Sequence, residues 1–225
     1  MCAISVSFSW QIHSMDIKCA FLQGMNIDRL VYVVPPIEAN TKRLWKLNTA
    51  VYGLVDASRT WYLKVKNELS SLGAKKSIYD NALFYWQHEN VMQGFMCCHV
   101  DDFFCSGIEL FHSNVIASLK KNFSLSKEST SSVVYTGINL IQKDNQVIMH
   151  QHDYISKIEP IPLYNLSESK STASQIPLIR GLVGQLQWAS KLTRPDISFS
   201  SCDLSSRAKN ATIVGLKRET RFYVN

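Results

Sequence analysis

Long apolar runs are missing from this sequence of 225 residues. No run approaches the roughly 20 apolar residues that a membrane-spanning helix needs. Residues 1–12 lack the basic and apolar regions of a signal peptide. The six cysteines show no CxxC or Cys/His spacing, which argues against the common zinc and disulfide frameworks. We therefore expect an intracellular protein in a reducing compartment, with no membrane partner.

Charged residues are also few, at 19%, whereas apolar residues make up 46%, a balance typical of globular rather than disordered chains. A chain of this length fits one large domain or two small ones. The formal net charge of +6 is unevenly placed, because nine Lys and Arg residues face only four acidic residues from Ile161 onward. This basic part suits a polyanionic partner such as nucleic acid, and it equally suits a set of solvated helix faces.

Two apolar runs between Val91 and Gly107 flank a pair of carboxylates, Asp101 and Asp102. The pattern predicts a β-hairpin with the Asp pair at its tip, because Asp is a good turn residue. The simplest interpretation is a polar turn. However, adjacent like charges repel, and strands this apolar are typical of a buried sheet. Two carboxylates at the mouth of such a sheet are what a divalent metal site requires.

A strand is predicted over residues 10–17, where Ile12, Ser14 and Asp16 share one face. Asp16 then lies near the end of that strand. Taken alone, an Asp in this position is more often a cap or an ion-pair partner than a catalytic group.

The rest of the pattern alternates strands and helices. One helix is well signalled, beginning at Asp56 as its N-cap and ending before Gly73. Strands are also predicted at 31–36, 44–48, 83–87, 133–141 and 146–150, and helices at 109–122, at 178–192, after Pro195 and from Thr212. The polar, Ser-rich residues 163–176 are interpreted as a linker. The overall prediction is a strand-rich α+β region followed by a small helical region.

Five segments, in this order, resemble the reverse transcriptase of copia-type retrotransposons. They are SMDIKCAFLQG (14–24), LWKLNTAVYGLVDASRTWY (44–62), HVDDFFCSG (99–107), VYTGINL (134–140) and LIRGLVGQLQWASKLTRPDISF (178–199). Each motif alone is weak, but their order and spacing together are specific. The similarity extends from about Trp10 to about Tyr223.

The resemblance implies an α+β right-hand polymerase fold. Residues 1–160 would form the palm, an antiparallel sheet with packed helices, together with partial fingers at about 24–56. Residues 161–225 would form a linker and a small helical thumb or connection segment. The implied activity is RNA-directed DNA polymerisation, with an RNA template, a DNA primer and deoxynucleoside triphosphates as partners.

The resemblance also implies the site. Asp16, Asp101 and Asp102 match the catalytic carboxylates that bind two Mg²⁺ ions, with Mn²⁺ as a substitute. In the family's pattern Asp16 and Asp101 bridge the ions, and Asp102 lies nearer the primer end. Carboxylates suit this task because hard cations prefer oxygen ligands.

Nucleotide and primer contacts are implied for a second set of residues: Ala20, Phe21, Gly53, Arg59, His99 and Gly137. Phe21 matches an aromatic position under the incoming sugar, where a ring excludes a ribose 2′-hydroxyl. As an isolated residue it is equally well explained as part of the core. Gly137 belongs to the segment that resembles the primer-grip hairpin.

Two motifs depart from the family's pattern. His99 replaces the usual hairpin Tyr, which would make a primer-stacking role sensitive to pH. Val55 and Asp56 replace a usual Lys-Gln pair, which weakens the case for a template or triphosphate contact through these side chains. Only fifteen residues precede Asp16, so we expect the front half of the fingers to belong to a longer polyprotein. The alternative interpretation is an inactive or domesticated remnant that at most binds nucleic acid.

Overall fold

The computed structural model describes residues 1–159 and 175–208 of the chain. They form two compact units, namely Met1–Thr136 with Leu140–Ile148, and Gly137–Asn139 with the described residues from Met149 on. Within the described part of the chain, no helix combines the length and the hydropathy that crossing a membrane requires. The structure is mixed, with antiparallel sheets and several helices.

The described helices are α1 (Cys2–Ser7), α2 (Ala57–Ser71), α3 (Glu109–Phe111), α4 (Ala117–Asn122), α5 (His152–Ile155), α6 (Gln175–Leu192) and α7 (Ser198–Arg207). A π-helical turn, His112–Ile116, joins α3 to α4, and 3-10 turns occupy Ala20–Gln23, Ile37–Ala39 and Pro195–Ile197. The strands are β1 (Ile12–Ile17), β2 (Tyr32–Val33), β3 (Trp45–Lys46), β4 (Lys75–Lys76), β5 (Leu83–His88), β6 (Val91–His99), β7 (Asp102–Gly107), β8 (Leu125–Thr130), β9 (Ser132–Tyr135), β10 (Ile138–Lys143) and β11 (Gln146–His150).

The main sheet has six strands in the order β4-β5-β6-β7-β1-β8. Helices cover one of its faces, and the opposite face also buries apolar side chains, among them Ile12, Phe95 and Phe104. Met15 and Phe103 on the helix-covered face belong to one core cluster with Trp61, Val65 and Leu69 of α2. Burying each large side chain of this kind contributes about 1.5–3 kcal/mol. The smaller sheets have the orders β11-β10-β9 and β2-β3.

Two glycines let the helical segment after β7 approach the sheet closely. Gly94 and Gly107 are paired across β6 and β7, and the ring of Phe111 lies over both. A Cβ added at either position would come within 2.6 Å of that ring. Trp86 meets the same ring edge-on, with ring centroids 5.0 Å apart. This packing seats α3 on the six-stranded sheet.

The long periodic helices agree with the predictions from sequence. Trp61, Val65 and Leu69 of α2 are buried, and Gly73 follows the helix with φ +84°. On α6, predicted over 178–192, the apolar residues at helical spacing are buried: Leu182, Val183, Leu186 and Ala189. In both cases the apolar stripe is long enough to identify the segment as an α-helix from sequence.

The prediction of one continuous strand over 133–141 is wrong. Thr136 (φ +48°) and Gly137 (φ +79°) form a tight turn that separates β9 from β10. Positive φ at both central residues is the pattern of a two-residue hairpin turn. The unbroken apolar pattern hid this turn, whereas the resemblance of 134–140 to a hairpin agrees with it.

Other predictions differ in detail. Asp56 occupies the N-cap position of α2 but makes no side-chain capping bond. Its carboxylate instead accepts two hydrogen bonds from Arg29, at 2.9 and 3.0 Å. Helix α1 and strand β8 were not predicted. Most of the predicted linker and the helix predicted from Thr212 lie outside the described residues.

We expect Gly107→Ala to lower the free energy of unfolding by about 1–3 kcal/mol, the range for overpacking a close-packed core. The added methyl group would meet Phe111, the Gln93 carbonyl and Gly94 within 2.8 Å. Urea unfolding measures the change. Gly181→Ala on α6 is the control, because a Cβ there has no neighbour within 4 Å. An unchanged transition in Gly107→Ala would show that this packing is not tight.

Candidate active site

Three acidic residues from two distant parts of the chain come together at one end of the main sheet. Strands β1 and β7 are antiparallel neighbours, and Asp16 is opposite Asp102 in their register. The Ile17 amide donates a 2.9 Å hydrogen bond to the carbonyl of Asp101, which extends the pairing into the turn. Met15 and Phe103 face the helices, so Asp16 and Asp102 lie on the opposite face of the sheet.

The tip of the hairpin is Val100–Asp101, so the prediction of Asp101 and Asp102 as the two turn residues is wrong by one position. Strand β6 ends at His99 and β7 begins at Asp102. Strand pairing is the reason: His99 is opposite Asp102 in the register of β6 and β7, which leaves Val100 and Asp101 as the two turn residues. The Asp102 side chain consequently belongs to the strand and faces Asp16.

The turn is strained and is held by neighbours. Val100 has φ +54°, which is unfavourable for a β-branched residue. Its carbonyl accepts a 2.6 Å hydrogen bond from the indole nitrogen of Trp61, and the next carbonyl accepts from Ile17. Strain of this kind persists only where the surroundings fix the conformation. Trp61 thus links α2 to the hairpin tip, a role that its place in the helix stripe did not indicate.

The electrostatics of the site are dominated by like charges. Burial raises the pKa of Asp102, and the neighbouring carboxylates of Asp101 and Asp16 raise this pKa further. A backbone hydrogen bond from Thr136 and the nearby His99 act in the opposite direction on the same pKa. His99 is exposed and opposite Asp102 across β6 and β7. Ionising Asp102 in the folded chain therefore costs free energy, because its carboxylate is partly buried beside two other carboxylates.

The carboxylates suit a divalent cation in chemistry and charge, although they are not gathered around one point. Among the described residues, no three His, Cys, Asp or Glu side chains form a cluster that could hold a metal ion. Asp16 Oδ2 instead accepts a hydrogen bond from the hydroxyl of Ser126. Carboxylate oxygens are the ligands that hard cations prefer, and a cation would relieve the repulsion that raises the Asp102 pKa.

Ala20 and Phe21 lie in the 3-10 turn after β1. The chain enters this turn through Cys19, which has φ +50°. Ala20 is buried, and Phe21 is 7% exposed beneath Tyr52, with ring centroids 4.5 Å apart. Phe21 also lines a cavity of 190 Å³ that reaches Val100 at the hairpin tip. Phe21 is thus a core residue that borders the acidic turn.

The remaining predicted contacts occupy separate positions. Gly53 is exposed with φ +94°, and a Cβ there would have no neighbour within 4 Å. Arg59 is exposed on α2 and forms no ion pair with any residue that the structure describes. Gly137 lies in the turn between β9 and β10 and belongs to the second unit. The structure therefore groups the three Asp residues with His99.

Residues 1–180 match the family model described as reverse transcriptase (RNA-dependent DNA polymerase). This chain belongs to that reverse transcriptase family. The match covers most of the chain and confirms the resemblance drawn from the five motifs.

Curated relatives place this reverse transcriptase segment among transposon proteins. It is 31% identical to the retrovirus-related Pol polyprotein from transposon RE1 of Arabidopsis thaliana, over 97% of the chain and 16% of the relative. For the Pol polyprotein from transposon RE2 of the same plant the identity is 27%, over 90% and 15% respectively. A putative transposon Ty5-1 protein of Saccharomyces cerevisiae is 25% identical, over 92% of the chain and 73% of that protein. The segment thus spans only about a sixth of the two plant polyproteins.

We expect Asp102→Asn to raise the free energy of unfolding near neutral pH. The pKa of Asp102 is raised in the folded chain, so stability is lost as the pH rises through that folded pKa. Below the ordinary value of 3.8 the carboxyl is protonated in both states. The advantage of the variant should therefore shrink as the pH falls toward that value. Urea unfolding of the variant and the parent at several pH values measures this difference in the free energy of unfolding.

Asp56→Asn is the matched control, and its effect on the free energy of unfolding should have the opposite sign. The Arg29 guanidinium lowers the pKa of Asp56, so its stabilising effect is present above 3.8 and is lost at lower pH. This variant should be less stable than the parent near neutral pH. Equal effects of the two substitutions at every pH would contradict the proposed repulsion at Asp102.

Proposed function

We propose that this chain is the palm, with part of the fingers, of a copia-type reverse transcriptase, followed by thumb or connection helices within 161–225. Its reaction is DNA polymerisation from deoxynucleoside triphosphates on a primer paired with an RNA template. The supporting observation is the register that sets Asp16 opposite Asp102, with Asp101 in the adjoining turn. A chain of this family with three acids so placed has the donors that nucleotidyl transfer requires.

Asp16, Asp101 and Asp102 are proposed to hold two Mg²⁺ ions, for which Mn²⁺ can substitute. Bound divalent ions lower the pKa of a primer 3′-hydroxyl and neutralise charge on the departing pyrophosphate. The protein's own part is to fix the carboxylates. Paired strands carry Asp16 and Asp102, and hydrogen bonds from Trp61 and Ile17 hold the turn that carries Asp101.

Nucleotide contacts are proposed for Ala20, Phe21, Gly53 and Arg59. The Phe21 ring borders the hairpin tip, where it could limit the space beside the sugar. The open surroundings of Gly53 suit a close approach by a base or sugar. Arg59, exposed and without an ion pair among the described residues, suits a phosphate.

Primer contacts are proposed for His99 and for the turn containing Gly137. His99 is exposed at the end of β6, next to the acidic turn, and its flat ring could stack on a base. The tight turn at Gly137 offers backbone groups, which position a strand without reading its sequence.

Helix α6 has a face that suits the duplex. Gly181 and Gly184 are exposed, and a Cβ at either would have no neighbour within 4 Å. Trp188, on the same helix, is 46% exposed, and Arg180 and Lys191 add positive charge. A flat apolar strip with flanking cations can approach a duplex closely while its charges meet phosphates. This supports the assignment of α6 to the thumb or connection region.

The second candidate is a catalytically inactive remnant that at most binds nucleic acid. One observation favours it: among the described residues no three potential ligands are gathered as a metal cluster. Primer extension separates the two candidates, because only the first requires the three carboxylates to act together.

We expect the chain, joined to the segment that precedes the matching region in the RE1 polyprotein, to extend a DNA primer on an RNA template with Mg²⁺. Asp101→Asn should lower the rate roughly 10²–10³-fold, the scale for losing one charge-stabilising group of an active site. Asp144→Asn, in the turn between β10 and β11, is the control and should have no effect. Binding of primer–template without extension, unaffected by Asp101→Asn, would favour the remnant.

In the same active protein, we expect Phe21→Ala to raise ribonucleotide incorporation relative to deoxynucleotide incorporation by about 10-fold, a typical discrimination for a small steric difference. The ring would otherwise occupy the space needed by a 2′-hydroxyl. Val65→Ala is the control, since Val65 lines the same cavity from α2. If Phe21→Ala and Val65→Ala show the same ratio of ribonucleotide to deoxynucleotide incorporation, Phe21 has only a packing role in the core.

A further inference from the structure

A β-bulge lies directly beside Asp16. Strand β8 pairs Lys127 with Asp16 and Leu125 with Ile17, which leaves Ser126 as the extra residue. A bulge changes the direction of the side chain at the extra position. Here the Ser126 hydroxyl donates to Asp16 Oδ2 and also lies 3.2 Å from the carbonyl oxygen of the same residue. The irregularity therefore brings a neutral donor onto one of the three acids.

The strand before the bulge is fixed by Gln23. Its side-chain amide donates to the carbonyl oxygens of Lys18, at 2.5 Å, and Ser124, at 3.1 Å. Its oxygen accepts a 2.8 Å hydrogen bond from the Ser124 amide. The Lys18 amide also donates to the Ser124 carbonyl, at 2.9 Å. These bonds set the register of β8 on the end of β1, so the position of the bulge is determined.

The far side of the bulge is also anchored. Glu128, two residues beyond Ser126, forms a 2.6 Å ion pair with Lys120 of α4. Lys127 is the register partner of Asp16, yet among the described residues no ion pair reaches Asp16. The hydroxyl of Ser126 is therefore the side-chain group that restrains this carboxylate.

We propose that Ser126 is a positioning residue, whose bulge-directed hydroxyl fixes the orientation of the Asp16 carboxylate. Without such a bond, a partly exposed Asp on a strand can occupy several χ1 rotamers. Hydrogen bonds to ligating carboxylates typically change metal affinity by about 10–100-fold. The catalytic meaning of this inference rests on the proposed function, whereas the positioning itself is a property of the chain alone.

The direct test is the χ1 distribution of Asp16 in the full chain, from three-bond Hα–Hβ couplings measured by NMR. The parent, Ser126→Thr and Ser129→Ala should each show one dominant rotamer, and Ser126→Ala should show averaged couplings. Ser129 is the matched control because it lies on the same strand opposite Ser14, away from Asp16. Thermal unfolding establishes that each variant is folded. A single rotamer in Ser126→Ala, or averaging in both alanine variants, would overturn the inference.

Mn²⁺ binding, followed by electron paramagnetic resonance, gives the second readout. Ser126→Ala should weaken the affinity about 10-fold or more, Ser126→Thr should restore it, and Ser129→Ala should not change it. Asp16→Asn distinguishes the proposed metal-binding role of Asp16 from the positioning role of Ser126. If Asp16→Asn leaves Mn²⁺ affinity unchanged, the proposed metal role of Asp16 fails, and the couplings alone decide the positioning role. If Asp16→Asn loses affinity and Ser126→Ala does not, Ser126 has no positioning role.

Discussion

The register of β1 on β7 is the constraint on which the candidate site depends. Side chains alternate between the two faces of a strand, so the burial of Met15 and Phe103 against α2 determines where Asp16 and Asp102 point. A slip by one residue would turn Asp102 toward the helix-covered face and bury its carboxylate, which costs free energy. The core thus holds together like charges whose repulsion raises the pKa of Asp102.

Sequence patterns predicted the elements that are long and periodic and missed those that depend on a neighbour. Helices α2 and α6 follow from their apolar stripes, whereas β8, LSKEST, is polar and owes its place to pairing with β1. The hairpin tip was misplaced because local turn preference favours Asp over Val, whereas the pairing of β6 with β7 sets His99 opposite Asp102. The hairpin pattern singled out Asp101 and Asp102, Asp16 was recognised as their partner only through the family resemblance, and nothing in the local sequence marked Ser126.

The strained backbone at Val100 is also held in place by the packing of the core. A β-branched residue with positive φ costs roughly 1–3 kcal/mol. The hydrogen bonds from Trp61 and Ile17 to the turn carbonyls offset part of that cost and leave the turn one geometry. Because Trp61 is itself packed in the core with Phe103, the packing of α2 also determines the position of Asp101. A substitution that shifts α2 would therefore also shift the acidic turn, even if the substituted residue does not contact that turn.

The partners of the three acids are consistent with the cation site proposed above. Among the described residues, none of the ion pairs involves Asp16, Asp101 or Asp102. The groups that restrain the carboxylates are neutral: the Ser126 hydroxyl at Asp16 and the Thr136 backbone at Asp102. A Lys or Arg in either place would neutralise the charge and compete with a metal ion. Neutral donors hold the carboxylates in place and leave their charge uncompensated, as the proposed binding of divalent cations requires.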